Sequence, residues 1–154
     1  MLEKNVSTIS KEAMGKKQED IQFGDATERE VLPLLDKFFG EKHHKAMLPS
    51  GEVDTYCRWD FINEAKTARR ELKGRRVRHD QYPTALLNYS KIRNQDPSIQ
   101  YTYIWKYTDG IYYLPYDKKV WDTFDVREMA VWRDGQCERQ LCINVPHHRL
   151  RPLC

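Results

Sequence analysis

The chain has 154 residues, with 26 Lys and Arg against 23 Asp and Glu, a net charge of +3, 40% hydrophobic residues and 12% aromatic ones. That is enough apolar material for one domain with a proper core; it argues against wholesale disorder and against polyanion binding through bulk charge. Four cysteines (Cys57, Cys137, Cys142, Cys154) do not make a disulfide scaffold, no apolar run is long enough for a bilayer, and the Met-Leu-Glu-Lys-Asn-Val-Ser start lacks a signal peptide's apolar core. The expectation is a soluble protein of a reducing compartment, cytoplasm or nucleus, with no membrane partner.

Residues 1–22 are polar and without lasting period, so they read as a flexible tail or a poorly packed first helix, leaving 23–154 as a single domain. From Asp25 to Phe39 the spacing predicts a helix, with Val31, Leu34, Leu35, Phe38 and Phe39 as its apolar stripe and Gly40 as its stop. Pro33 removes an interior backbone bond and should kink it. Residues 41–51, with His43, His44, Pro49 and Gly51, read as a loop.

Two strands are expected next, about 52–62 and 67–74, joined through Asn63 to Lys66. A turn centred between Glu64 and Ala65 sets Asp60 opposite Arg69 and on one face with Glu71 and Lys73, while Cys57, Trp59, Phe61, Ala68 and Leu72 fill the other face. Asp80 reads as the N-cap of a second helix, with Pro83 in its first turn, Tyr82, Ala85, Leu86, Tyr89 and Ile92 on one face, and its end at Asn94 to Pro97. A hairpin follows: Ile99 to Tyr107, a turn at Thr108-Asp109-Gly110, and Ile111 to Tyr116, its tyrosines and tryptophans alternating as strand core. Phe124 to Trp132 and Glu138 to Val145, around Asp134-Gly135, give two more strands. The order is that of an α/β sandwich with a mixed sheet.

The chemistry concentrates at Glu71-Leu72-Lys73. Residues two apart on a strand share a face, so an acid and an amine stand side by side with Asp60 on the neighbouring strand. Two carboxylates hold a hard divalent cation such as magnesium, and a lysine beside them steadies or deprotonates an attacking water. Residues 66–78 carry seven basic residues and one acid around this point, the distribution that phosphate binding requires. Glu28 sits on the helix stripe that faces the sheet, where it either joins the acids or supports the first helical turn. His79 reads as a phosphate contact or a solvated loop histidine. Cys137 and Cys142, followed by His147, His148 and Cys154, have loose spacing for zinc, and alternation through Leu141, Ile143 and Val145 favours a strand there.

An Asp on one strand, Glu-x-Lys on the next and a helix after them resemble the PD-(D/E)xK nuclease superfamily. Gly24-Asp25-Ala26-Thr27-Glu28-Arg29-Glu30-Val31 is similar to the opening of archaeal Holliday junction resolvases, whose first glutamate of the triplet, matched here by Glu28, joins the metal site. The stretch from Glu71-Leu72-Lys73-Gly74-Arg75-Arg76 through Tyr82-Pro83-Thr84-Ala85 to Asn88-Tyr89-Ser90-Lys91-Ile92 also resembles small resolvase-like nucleases of viruses and phages. The resemblance covers roughly residues 24–92. It departs from the pattern where Trp59, not Pro, precedes Asp60 and where Pro33 interrupts the first helix.

The resemblance implies a restriction-endonuclease-like αβββαβ core, a mixed central sheet flanked by helices, with a C-terminal β extension. It implies a magnesium-dependent deoxyribonuclease, with manganese as substitute, selective for DNA structure and serving junction resolution, recombination or repair. Asp60, Glu71, the Leu72 backbone carbonyl and Glu28 hold the metal, and Lys73 activates water. Arg69, Arg70, Arg75, Arg76, Arg78, His79 and Lys91 contact branched or duplex DNA. A homodimer is implied, acting in a host cell if the protein is viral. The rival readings are a catalytically inactive nucleic-acid-binding module on the same fold, or an exonuclease or restriction-type nuclease.

Overall fold

A computed structural model describes residues 22–24, 26–45, 50, 60–133 and 135–153. The expected tail and most of the strand expected over 52–62, with Cys57 and Trp59, lie outside the described residues, as does Cys154.

The first helix, α1, covers residues 26–39. Val31 and Leu35, one turn apart, are fully buried beneath it. Pro33 is exposed and the helix continues through it, so the missing backbone N–H falls on the solvent side of the helix. Gly40, with φ of +67°, ends the helix in the left-handed conformation that a side chain would disfavour. The stripe is narrower than its sequence suggested: Leu34 is half-buried and Phe38 is exposed, edge-on to Phe39 and Tyr113.

Within the segment read as a loop, His43–Lys45 forms a short strand, β1. It is fastened by Asp36, whose carboxylate accepts the His43 backbone N–H at 2.8 Å and meets its ring Nδ1 at 2.9 Å. Then come β2 (Phe61–Asn63), β3 (Ala68–Gly74), β4 (Thr84–Asn88), a one-turn helix α2 (Ser90–Arg93), β5 (Gln100–Tyr107), β6 (Gly110–Pro115), a one-turn helix α3 (Lys118–Trp121), β7 (Asp125–Arg133), β8 (Gln136–Pro146) and β9 (Arg151–Pro152). A six-stranded mixed sheet has the order β1-β2-β3-β5-β6-β9, with β3 and β5 parallel, and a three-stranded antiparallel sheet has the order β4-β8-β7.

One expected helix is therefore corrected. Residues 84–88 form a strand, because Ala85 and Leu87 alternate inward opposite Val145 and Ile143 of β8, and only Ser90–Arg93 is helical. The layer on that side of the central sheet is accordingly a second sheet. Two cores result. Val31 and Leu35 pack with Phe61, Leu72, Ile104 and Ile111 on the α1 side. Tyr101, Tyr103, Trp105 and Tyr107 pack with Leu87, Ile143 and Val145 on the other. The fold is mixed α/β, and no helix among the described residues is long and apolar enough to cross a membrane.

Candidate active site

The β2–β3 turn sets the register on which the site depends. Asn63 holds it: its carbonyl oxygen accepts the N–H groups of Thr67 and Ala68 at 2.8 and 2.9 Å, and its amide donates to Thr67 Oγ1 at 2.9 Å. Lys66 takes the left-handed conformation, φ 58°. Ile62 pairs with Arg69 and Phe61 with Arg70. The turn is thus centred one residue later than expected, and partners shift by two. A shift of two keeps every side chain on its face, so Asp60 moves from a place opposite Arg69 to one beside Glu71.

Asp60 lies just before β2, and its carboxylate accepts the Leu72 backbone N–H at 2.7 Å. A strand residue's N–H and C=O point to the same edge, so the Leu72 carbonyl opens on the Asp60 side. Glu71 and Lys73 project from the opposite sheet face to Leu72, abreast of Tyr103 and Trp105 on β5. Glu71 is only 6% exposed, and Lys91 of α2 closes over it at 2.9 Å. The Tyr103 hydroxyl fixes α2 by donating to the Lys91 carbonyl and accepting from Gln95 Nε2. Glu28, on the first turns of α1, pairs with Lys45 at 2.8 Å.

The acids are not comfortable here. Burial, then the neighbouring Glu71 charge, push the Asp60 carboxyl up to about 7; the Leu72 N–H opposes this, and Glu28 adds to it. Burial likewise raises Glu71, against the pull of Lys91 and Lys73. Burial lowers the Lys73 ammonium, against the pull of Glu71. Two acids that hold their protons more tightly than usual thus stand beside an amine that holds its proton more loosely, the kind of displacement that burial and neighbouring charge produce at reactive sites. On the α1 face of β3, opposite Glu71 and Lys73, a cleft of about 220 Å³ is lined by Phe23, Gly24, Thr27, Glu28, Leu72 and Gly74. Gly74 permits the α1 approach, since a Cβ there would come within 2.8 Å of the Phe23 ring.

The carboxylate and carbonyl oxygens of Asp60, Glu71, Glu28 and Leu72 are a hard donor set suited to magnesium. Lys91 and Lys45 draw Glu71 and Glu28 aside. Among the described residues, the trio of acid and histidine side chains whose ligand atoms all lie within 4.8 Å is a different one: His79, Asp80 and Asp109.

The basic residues divide. Arg75, Arg76 and Arg78 are exposed after β3, Arg76 lying over the Phe23 ring. Arg69 is half-buried and donates to the Tyr101 hydroxyl at 2.9 Å. Arg70, expected on the DNA surface, is instead 3% exposed on the α1 side, where it donates to Thr102 at 2.9 Å and lies 3.6 Å from the Phe39 ring centre. It is a core tie. Lys91 serves Glu71. His79 is partly exposed but engaged: its backbone N–H and ring Nδ1 meet Asp109 at 2.9 and 2.5 Å, and its ring stacks on Tyr112 at 4.4 Å. Cys137 and Cys142 lie on β8 at an odd spacing, one exposed and one buried, so they face opposite ways, as strand residues do.

Sequence reasoning missed the Lys91–Glu71 and Glu28–Lys45 pairs, which join residues 20 and 17 positions apart through the packing of separate elements. No family model, curated protein or solved structure matches the chain.

Proposed function

We propose that the protein is a metal-dependent DNA endonuclease of the PD-(D/E)xK kind, selective for branched or otherwise distorted duplexes and acting as a homodimer. The observation that carries this reading is the meeting of Asp60 with the Glu71-Leu72-Lys73 strand, with both acids raised toward neutrality and the amine lowered. The topology supports it as well: a helix, three antiparallel strands and a crossover to a fourth strand parallel to the third follow the expected αβββαβ order. The departure is the crossover, which carries β4 and one helical turn in place of a long helix.

In this reading Asp60, Glu71 and the Leu72 carbonyl hold magnesium, with Glu28 assisting. Bound there, the ion polarises the phosphate and stabilises the leaving oxygen. Lys73, its proton loosened by burial, orients the attacking water and accepts its proton. Lys91 keeps Glu71 neutralised until the carboxylate is needed. Arg75 and Arg76, exposed at the end of β3, position the phosphate backbone without reading sequence.

A second reading has one observation in its favour. Lys91 already neutralises Glu71 at 2.9 Å, as it would in a nucleic-acid-binding module that performs no chemistry. The test incubates the protein with linear, flap and four-way DNA, with magnesium, manganese or chelator, beside Asp60→Asn and Lys73→Ala. Metal-dependent cleavage lost in both variants supports the enzyme. Binding without cleavage by the folded parent favours the module.

A further inference from the structure

The β7–β8 ribbon outruns the domain that roots it. β4 borders β8 only from Cys142 to Pro146. From Glu128↔Leu141 to Arg133↔Gln136, six residue pairs, no other strand lies beside β8 or β7 among the described residues. At ~3.4 Å per residue this is a projection of about 20 Å. A two-stranded ribbon left alone in water is marginally stable, so one this long calls for a cover.

Its faces differ. Val126, Glu128, Ala130 and Trp132 of β7 share a side with Cys137, Arg139, Leu141, Ile143 and Val145 of β8. Ile143 and Val145 are buried in the aromatic core. Farther out the same face leaves Val126 39%, Leu141 45% and Trp132 73% exposed, three of the five large apolar side chains that stand exposed among the described residues. The core-facing side of the sheet thus continues past the core, where no described residue buries these three side chains.

The charges select the occupant. Residues 125–141 hold four acids and three arginines, so the ribbon offers no positive field to a phosphate backbone. Its apolar face carries one charge of each sign, Glu128 and Arg139, 2.9 Å apart. An apolar stripe with one acid and one base is complementary to itself: a two-fold axis sets apolar stripe on apolar stripe and acid across from base.

We propose that this face of the β7–β8 ribbon is where two copies of the chain associate, Trp132 and Leu141 of each being covered by the ribbon of the other. The inference rests on the homodimer of the proposed function and gives it an interface, but uses no residue of the nuclease site, so cleavage by a protein that stays monomeric would overturn the interface and leave the enzyme reading standing.

Sedimentation of the full chain between about 1 and 200 µM, a range that spans micromolar dissociation constants, tests it. The expected result is a reversible dimer, weakened at least tenfold by Trp132→Ser or Leu141→Asp with an unchanged circular dichroism spectrum. Glu128→Arg and Arg139→Glu should each weaken it, and mixing those two variants should yield a mixed dimer tighter than either alone. A parent that stays monomeric throughout overturns the proposal. So does a Trp132→Ser protein that dimerises like the parent, or a mixture that forms no mixed dimer. Loss of duplex DNA binding in Trp132→Ser from a monomeric parent would make the occupant nucleic acid and overturn it too.

Discussion

Two clusters of acids with bases among the described residues are built on opposite plans. At the end of the β5–β6 hairpin, Asp109 receives the His79 N–H and ring and lies 3.6 Å from Arg78, which also reaches Asp80 at 3.4 Å. Some desolvation pushes the Asp109 carboxyl up, but the His79 hydrogen bonds outweigh it and hold it below the usual range. Beside β3, Asp60 has one backbone donor for two nearby acids and is pushed up to about 7. Proximity of ligand atoms alone would select the first cluster as the metal site. In the proposed reading, the state of the charges favours the second. Carboxylates already satisfied by hydrogen-bond donors and a guanidinium gain little from a cation, whereas carboxylates that repel one another gain a great deal.

The largest effects that separate the two are kinetic. Asp60→Asn and Lys73→Ala should each lower cleavage by roughly 10² to 10³-fold, in the range seen when a preorganised charge at a reacting centre is removed. Asp109→Asn and His79→Ala should leave the rate within a few-fold of the parent. Equal losses from both pairs, in a cleavage assay on four-way DNA, would erase the distinction.

Next in size is the response to metal. If Asp60 and Glu71 take the ion, magnesium at about 100 times its dissociation constant should stabilise the fold by about 2.7 kcal/mol. The rise in melting temperature should vanish in Asp60→Asn and persist in Asp109→Asn. The reverse pattern would move the metal to the hairpin cluster. Lys91→Met should sharpen the outcome, since it removes the cation that now competes for Glu71, and the metal should bind it more tightly.

Which parts of this were legible in the sequence follows from how local each signal is. The β5–β6 and β7–β8 hairpins and the core of α1 rest on contacts within a few residues, and their patterns gave them within a residue or two. Asp60, Glu71 and Lys73 were legible as a group because an even register shift leaves faces unchanged. The helix expected from Asp80 to its end at Asn94 to Pro97 was not, because Ala85, Leu86, Tyr89 and Ile92 suit a helical stripe as well as a strand. The choice was made by Ile143 and Val145, far along the chain. Arg70 was misplaced for the same kind of reason: an arginine in a basic run looks exposed until Phe39 and Thr102 arrive beside it.

The smallest effects are in the pH dependence of stability without metal, and there the clusters should differ in sign. A carboxyl raised in the folded state favours folding while protonated, so the Asp60 contribution is complete below its ordinary value near 3.8 and disappears as pH rises through about 7. Asp60→Asn should therefore gain on the parent above pH 7, by on the order of 1–2 kcal/mol once solvent screening is allowed for. A carboxyl lowered in the folded state works the other way: the Asp109 contribution is present above its ordinary value and disappears as pH falls through its depressed one. Asp109→Asn should lower the melting temperature at pH 7 and have no effect at the acid end of the titration. Melting curves from pH 3 to 9 thus set the two variants against each other. Two profiles of the same slope would mean that Asp60 is as well satisfied as Asp109, and the β3 cluster would lose its claim to the cation.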